Sequence, residues 1–290
     1  MLSKFIAFNP ETRNRINSNV TANYSKLKVS LLFTPLLLLS AIAVFLYSKN
    51  SLSTSGYLTI QRDLFYFINS KLSQFPAVIY NLTQLGDALI FMSLLSVFLL
   101  YAPKLWESLL SASIVSALLS NLLKNLFSIP RPAAVYDSNT FVIIGQKLVG
   151  HSSLPSGHSI TIFTVLTVLL FAFMPKKLNI KFIWCITIIS IGLLLVFTRV
   201  GVGAHHPLDT LTGSLIGYIS GVLGIFISRK YKIWNWVHNV KYYPIFMALF
   251  FICSVIMINK ISNENLFIFY ITLISLIVSL FKISYVYIKK

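Results

Sequence analysis

Acidic side chains are scarce in this 290-residue chain: seven Asp and Glu stand against 24 Lys and Arg. Charged residues make up 11% of the sequence, where a soluble domain carries about 25%. Hydrophobic residues make up 56%, and the mean hydropathy is +0.79. This balance excludes a soluble globular fold and places the chain among integral membrane proteins. Carboxylates are too few and too scattered to form the oxygen cage a hard divalent cation needs. Cysteine is rarer still. Cys185 and Cys253 both lie inside apolar runs, where a thiol acts as a small hydrophobe. Neither a disulfide framework nor a CxxC metal pattern is present. Gly201-Val-Gly203 lacks both the preceding strand and the third glycine of a dinucleotide loop. No internal repeat or low-complexity stretch stands out.

The net charge of +17 raises nucleic acid as a partner, but the distribution argues otherwise. The basic residues cluster at the ends of apolar runs, where they meet anionic lipid headgroups. The expected partners are therefore membrane lipids, with no nucleic acid. Apolar runs near 31–48, 84–102, 106–124, 158–175, 181–198, 209–228, 242–259 and 265–286 each approach the roughly 20 residues a span needs. The reading is all-α: a polytopic transmembrane helix bundle. Ala41-Ile42-Ala43 resembles a signal cleavage site, but the run continues past Tyr47, which favours an uncleaved first span. Only Ala102 to Leu105 separates the second and third runs, which fits a tight helical hairpin.

The chain divides into a basic tail (1–30), a core (31–228), and a basic loop with two further spans (229–290). With eight spans, the basic tail, Lys104, Lys176-Lys177, Arg229 to Lys232 and Lys289-Lys290 share one side. By the positive-inside rule that side is cytoplasmic. The segment 52–80 mixes Leu64, Phe65, Phe67, Ile68 and Leu72 with Arg62, Asp63, Asn69 and Lys71. It reads as an amphipathic helix at the interface or as a lid packed over the bundle, and the two are compatible.

Three polar islands interrupt the apolar sequence, all on the outer side. The first holds Lys124 and Arg131-Pro132, the second is Pro155-Ser156-Gly157-His158, and the third runs from Thr198-Arg199 through His205-His206-Pro207 to Asp209. His205 and Asp209 are spaced i, i+4, which shares a helix face. Pro207 between them is tolerated only in a first turn, so a helix begins there. Asp209 can then accept a hydrogen bond from one imidazole nitrogen and leave the other as a nucleophile. The plainer alternative for Asp209 is a helix-start carboxylate favoured by the dipole.

In the second island, Ser156 is a preferred N-cap. The amides of Ser156, Gly157 and His158 would face an anion at the helix start, and Gly157 permits close approach. His158 suits a general acid for a leaving oxygen. Lys124, Arg131 and Arg199 supply one ammonium and two planar forks for phosphate oxygens. Their plainer alternative is snorkelling toward headgroups.

The joint pattern Lys124…Arg131-Pro132, Pro155-Ser156-Gly157-His158, Thr198-Arg199…His205…Asp209 resembles the type 2 phosphatidic acid phosphatase (PAP2) superfamily. Thr198 stands where serine is usual and keeps the hydroxyl. The resemblance covers about 124–209, and the surrounding spans are similar to that family's six-helix core; the last two spans lie beyond it. It implies a membrane-bound lipid phosphatase in which His205 forms a phosphohistidine, oriented by Asp209, and His158 protonates the leaving group. Lys124, Arg131, Ser156, Gly157 and Arg199 would then bind phosphate, with no metal and no cofactor.

The expected substrate is a lipid phosphomonoester or pyrophosphate of the phosphatidylglycerophosphate, phosphatidic acid, undecaprenyl pyrophosphate or lipid A class. The site would face the outside of a bacterial inner (cytoplasmic) membrane. Alternatives are a phosphotransferase that passes the phosphoryl group to a second lipid, and a protein that only binds lipid phosphate. His151 reads as a bystander near the entrance, His206 as structural, Asp87 as a helix cap, and His238 as unrelated.

Overall fold

A computed structural model describes residues 10–289. Lys4 of the basic tail and the terminal Lys290 lie outside the described residues. Within them the chain is helical, with short 3₁₀ turns and no strand.

Helix α1 (Pro10–Ser25) is polar and lies across one end of the bundle. Helix α2 (Phe33–Ser48) is apolar and mostly exposed, as a lipid-facing helix must be. Helix α3 (Thr54–Leu72) corresponds to the expected amphipathic segment. Its inner stripe is Tyr57, Gln61, Phe65 and Asn69, spaced by four and buried, while Leu64 and Phe67 on the other face are exposed.

The apolar run at 84–102 does not form one straight span. Helix α4 (Pro76–Thr83) passes through a 3₁₀ turn (Gln84–Gly86) and meets α5 (Ala88–Leu94) at 85°. A third short piece, α6 (Phe98–Tyr101), follows. Asp87 causes the break: its carboxylate accepts the Leu89 amide at 2.8 Å and caps a new helix. Broken backbone in an apolar layer needs partners. The Ser275 hydroxyl donates to the Leu94 carbonyl (2.9 Å), and the Trp106 indole donates to the Leu95 carbonyl (3.1 Å).

Helix α7 (Pro103–Phe127) starts on a proline and ends at Ser128, which takes the left-handed conformation. A one-turn helix α8 (Pro132–Val135) follows. The remaining helices are α9 (Gly157–Ala172), α10 (Leu178–Gly201), α11 (Pro207–Tyr231), α12 (Tyr243–Glu264) and α13 (Phe267–Ile288). Among the described residues six helices are long and apolar enough to cross a membrane, and the bent α4–α5 pair counts as a seventh; α9, with 16 residues, is a shorter apolar helix at the centre.

Helices α9 and α11 run parallel in close contact because α11 presents Gly213, Gly217 and Gly221 to it. A Cβ at Gly213 would lie 2.7 Å from the Ser156 carbonyl oxygen, and one at Gly217 would collide with the Ile160 carbonyl. Small residues at four-residue spacing permit this approach between apolar helices. Helix α7 runs antiparallel to both, with Ser108 near its start bonded to Ser228 near the end of α11 at 2.9 Å. One end of the bundle therefore gathers the C-terminus of α7 and the N-termini of α9 and α11. These are the three polar islands.

The last two helices brace the broken segment from outside. Asn81 accepts the Ile268 amide (3.0 Å), Lys260 pairs with Asp87 (3.6 Å), and Ser96 bonds Ser279 (2.7 Å).

Candidate active site

Helix α11 starts where Pro207 requires, with His206 as its N-cap. Asp209 sits in the third helical position, and its Oδ2 accepts the His206 amide at 2.9 Å. The helix-start role and the site role therefore fall on the same carboxylate. Its Oδ1 accepts the Tyr57 hydroxyl at 2.7 Å, and Oδ2 also accepts the Ser153 hydroxyl at 2.6 Å. Asp209 has no exposed surface. Three donors around one buried carboxylate are the compensation such a charge needs.

His205 Nδ1 lies 3.6 Å from Asp209 Oδ2, beyond ordinary hydrogen-bond length. Ser153 Oγ stands beside both, 3.5 Å from Nδ1. The expected direct His–Asp bond is thus longer than the spacing implied, and Ser153 completes the link. On the other side of the ring, Arg131 Nη1 lies 3.2 Å from Nε2. A guanidinium only donates, so Nε2 is the acceptor. The ring proton then resides on Nδ1, facing Ser153 and Asp209.

Arg131 is fixed by the loop around it. Its amide donates to the Gly150 carbonyl (2.9 Å), Nη1 to the Ala204 carbonyl (3.1 Å) and Nη2 to the Ser152 carbonyl (3.4 Å). The second island is arranged differently from its sequence reading in one respect. Ser156 is the N-cap of α9 and its hydroxyl accepts the Ser159 amide (3.4 Å), but its own amide donates to the Asp209 carbonyl (3.0 Å). That amide is consumed in tying α9 to α11. The Gly157 and His158 amides remain at the helix start, where no intrahelical acceptor exists. Lys124 lies directly over them: a Cβ on Gly157 would sit 3.1 Å from its Nζ.

Arg199 is 6% exposed. Its Nη1 donates to Thr83 Oγ1 at 2.9 Å, and its Nε is buried with no partner among the described residues. A Cβ on Gly86 would strike the His158 ring. The bent α4–α5 segment therefore sets both Arg199 and His158, through Thr83 and Gly86. Lys124, Arg131 and Arg199 act electrostatically on one another or on His158. The Asp209 carboxylate acts on Arg131, so one negative charge faces three cations. A cluster of cations with an unsatisfied buried donor is a site built for an anion. A cavity of about 370 Å³ leads away from Gly157 and His158 between α7 and α9, past Ser116, Ser120 and Thr161.

The loop between Ala133 and Leu154 folds over this end. Asn69 bonds both the amide and the carbonyl of Val142 (each 2.9 Å), and Phe141 and Tyr136 pack on Phe65. His206 packs against Phe65 and Tyr136 and reaches the Pro130 carbonyl at 3.3 Å. His151 is exposed. His238 lies beside Glu107 (3.7 Å) on α7, at the opposite end of that helix from Lys124. The sequence reading did not single out Ser153, Tyr57, Gln61 or Thr83. Gln61 accepts the Leu208 amide at 2.7 Å and so holds the start of α11.

Burial pushes the His205 imidazole down to about 3; the nearby Asp209 carboxylate opposes this and the charges of Arg131 and Arg199 reinforce it. Burial lowers His206 as well. An unfolded chain protonates both near pH 6.5, while the folded protein holds them neutral. Their contribution to stability is full above about 6.5 and is lost as pH falls, for His205 through about 3. Thermal unfolding in detergent is expected to give a lower Tm near pH 5 than near pH 7.5, with a smaller difference in His206→Asn.

Residues 105–234 match the sequence model described as the PAP2 superfamily. A lipid A 1-phosphatase of Rhizobium etli is 33% identical over 121 residues, covering 41% of this chain and 48% of that protein. The bacitracin transport permease protein BcrC of Bacillus licheniformis is 27% identical over 122 residues, covering 41% and 53%. The chain thus spans about half the length of the curated relatives it matches. The crystal structure of Aquifex aeolicus LpxE aligns with a TM-score of 0.46 at 28% identity, covering 58% of this chain and 95% of that one. All three islands fall inside the matched segment, so the similarity to the PAP2 superfamily takes in every candidate site residue.

Proposed function

We propose that this protein is a membrane lipid phosphatase that hydrolyses a phosphomonoester or pyrophosphate on a lipid headgroup through a phosphohistidine. The observation that carries this reading is the His205 ring. Its proton sits on the Asp209–Ser153 side and its Nε2 lone pair faces Arg131, in a site otherwise lined by cations. A site meant only to hold phosphate needs neither an oriented imidazole nor a second histidine.

In the proposed reaction, the phosphate occupies the space between Lys124, Arg131, Arg199 and the Gly157 and His158 amides. The Nε2 of His205 attacks phosphorus while the bond to the lipid oxygen breaks, and His158 gives that oxygen its proton. Asp209 and Ser153 hold the Nδ1 proton against the growing positive charge. Water then attacks the phosphohistidine, gives a proton to His158 and releases phosphate. Charge on the equatorial oxygens is met by the three cations, so activity is expected to survive chelator.

The lipid A 1-phosphatases among the relatives support a lipid phosphate as substrate class. The exposed Leu64 and Phe67 of α3 support a substrate drawn from the bilayer. The Lys and Arg distribution supports a cytoplasmic-membrane location with this site on the outer face.

Purified protein should release phosphate from one of phosphatidylglycerophosphate, phosphatidic acid, undecaprenyl pyrophosphate or a lipid A phosphate in the presence of chelator. Appearance of a phosphorylated second lipid in place of free phosphate would identify a phosphotransferase. Thr83→Val removes the Arg199 partner and is expected to raise KM about tenfold with a smaller change in kcat, the loss of one hydrogen bond to a charged group.

A further inference from the structure

The end of the bundle opposite the candidate site carries a second assembly that the proposed reaction does not use. A cavity of about 680 Å³ lies there between α1, α9 and α10, and four lysines stand on its rim: Lys26, Lys28, Lys176 and Lys181. Among the described residues no acidic side chain lines it. It adjoins an apolar crevice of about 660 Å³ between α2, α9, α10 and α11, and the two share Leu170, Ile189 and Tyr218 as lining. The crevice follows α11 from Tyr218 to Leu211, about 10 Å along the axis. Leu38, Phe45 and Ile189 on its walls are 44–46% exposed, so it opens toward lipid.

We infer that this basic-rimmed crevice binds one anionic phospholipid of the leaflet opposite the candidate site. The phosphate would lie among the four lysines and an acyl chain along the apolar crevice.

Lysines at this end of a membrane protein are common under the positive-inside rule, but three features go beyond a diffuse surface charge. First, the lysines come from two separate segments, the turn after α1 (Lys26 and Lys28) and the entry to α10 (Lys176 and Lys181), that hydrogen bonds hold together. Asn23 donates to the carbonyls of Ala172 (3.0 Å) and Met174 (3.2 Å), and the Tyr24 hydroxyl donates to Val168 (3.1 Å). Arg229 fixes the same turn by donating to the Tyr24 carbonyl at 2.7 Å. Second, Lys181 sits in the first turn of α10, where a cation opposes the helix dipole, so local helix energetics do not account for it. Third, the charged rim leads directly into an apolar channel open to the bilayer. Basic pockets between membrane helices on this side suit anionic headgroups, and the joined crevice suits the tail attached to one.

The test compares the Tm shift given by phosphatidylglycerol with that given by phosphatidylcholine for detergent-purified protein. The proteins compared are wild type, Lys26/Lys28/Lys176/Lys181→Gln, and a control with four lysines of the same end changed elsewhere (Lys230/Lys232/Lys241/Lys289→Gln). Wild type and control are expected to be stabilised by phosphatidylglycerol alone, and the rim variant to bind it at least about tenfold more weakly. Equal responses of the rim and control variants would overturn the proposal, because the charge would then act diffusely. A full shift with inorganic phosphate would overturn it too, because the crevice would then have no part. If the rim variant fails to fold, Ala41→Trp decides: it fills the crevice and keeps every charge. Loss of the phosphatidylglycerol shift in that variant supports a seated acyl chain, and an undiminished shift excludes one.

Discussion

Replacing His205 with alanine is expected to lower phosphate release by about 10⁴-fold or more, the range seen when a covalent nucleophile is removed from a preorganised site. The imidazole is buried and neutral, with its proton on the Asp209 side and its Nε2 turned toward Arg131. The cations around it, Lys124, Arg131 and Arg199, present only donors. Without the ring, the cationic cluster and the Gly157 and His158 amides remain. Binding of phosphate or a phosphate-like inhibitor is therefore expected to change less than tenfold while turnover disappears. A parallel loss of binding and turnover would make His205 a structural partner of Arg131 and no more. Thermal unfolding of the variant distinguishes both outcomes from a folding defect.

Asp209→Asn is expected to cost about 10³- to 10⁴-fold in kcat, comparable to loss of the orienting carboxylate in a serine protease triad. The carboxylate accepts from Tyr57, Ser153 and the His206 amide. An amide in its place turns an NH₂ toward at least one of these donors and removes the charge that stabilises an imidazolium-like ring. The same network grades the smaller variants. Tyr57→Phe and Ser153→Ala each remove one charge-assisted bond and are expected to cost about 10- to 100-fold. The loss should fall on kcat, since neither residue lies among the proposed phosphate ligands. Separate measurement of kcat and KM for the three variants checks this, and a loss confined to KM would place the two hydroxyls in substrate binding.

The parts of this site that sequence makes legible are those governed by local rules. The i, i+4 spacing of His205 and Asp209, the helix start forced by Pro207 and the N-cap at Ser156 each depend on a few neighbouring residues, and the structure has α11 and α9 beginning there. Contacts between distant segments were not legible. Tyr57 precedes Asp209 by 152 positions, and Thr83 precedes Arg199 by 116. Both lie outside the segment matched to the superfamily.

A signal for α3 did exist. Tyr57, Gln61 and Asn69 recur on one face of the helix, a pattern that points polar groups at backbone needing partners. The broken span was misread for a similar reason. The run 84–102 is apolar enough to cross a membrane, and Asp87 was read as a cap at its outer end. The structure uses the same cap to start a new helix at 85° to the preceding one. The bend then depends on bonds from α12 and α13, which no local pattern announces. Gly213, Gly217 and Gly221, which the sequence reading does not single out, are spaced by four, and their function is the close contact with α9.

The most direct test of the proposed chemistry is the covalent state of the protein during turnover. Enzyme mixed with a lipid substrate and quenched in alkali, which preserves phosphohistidine, is digested and its peptides are read by mass spectrometry. The expected result is a phosphoryl group on His205 in wild type, accumulating in a variant with slowed hydrolysis and absent from His205→Ala. Steady phosphate release with no phosphoryl group on His205, or with the group on another side chain, would contradict the mechanism.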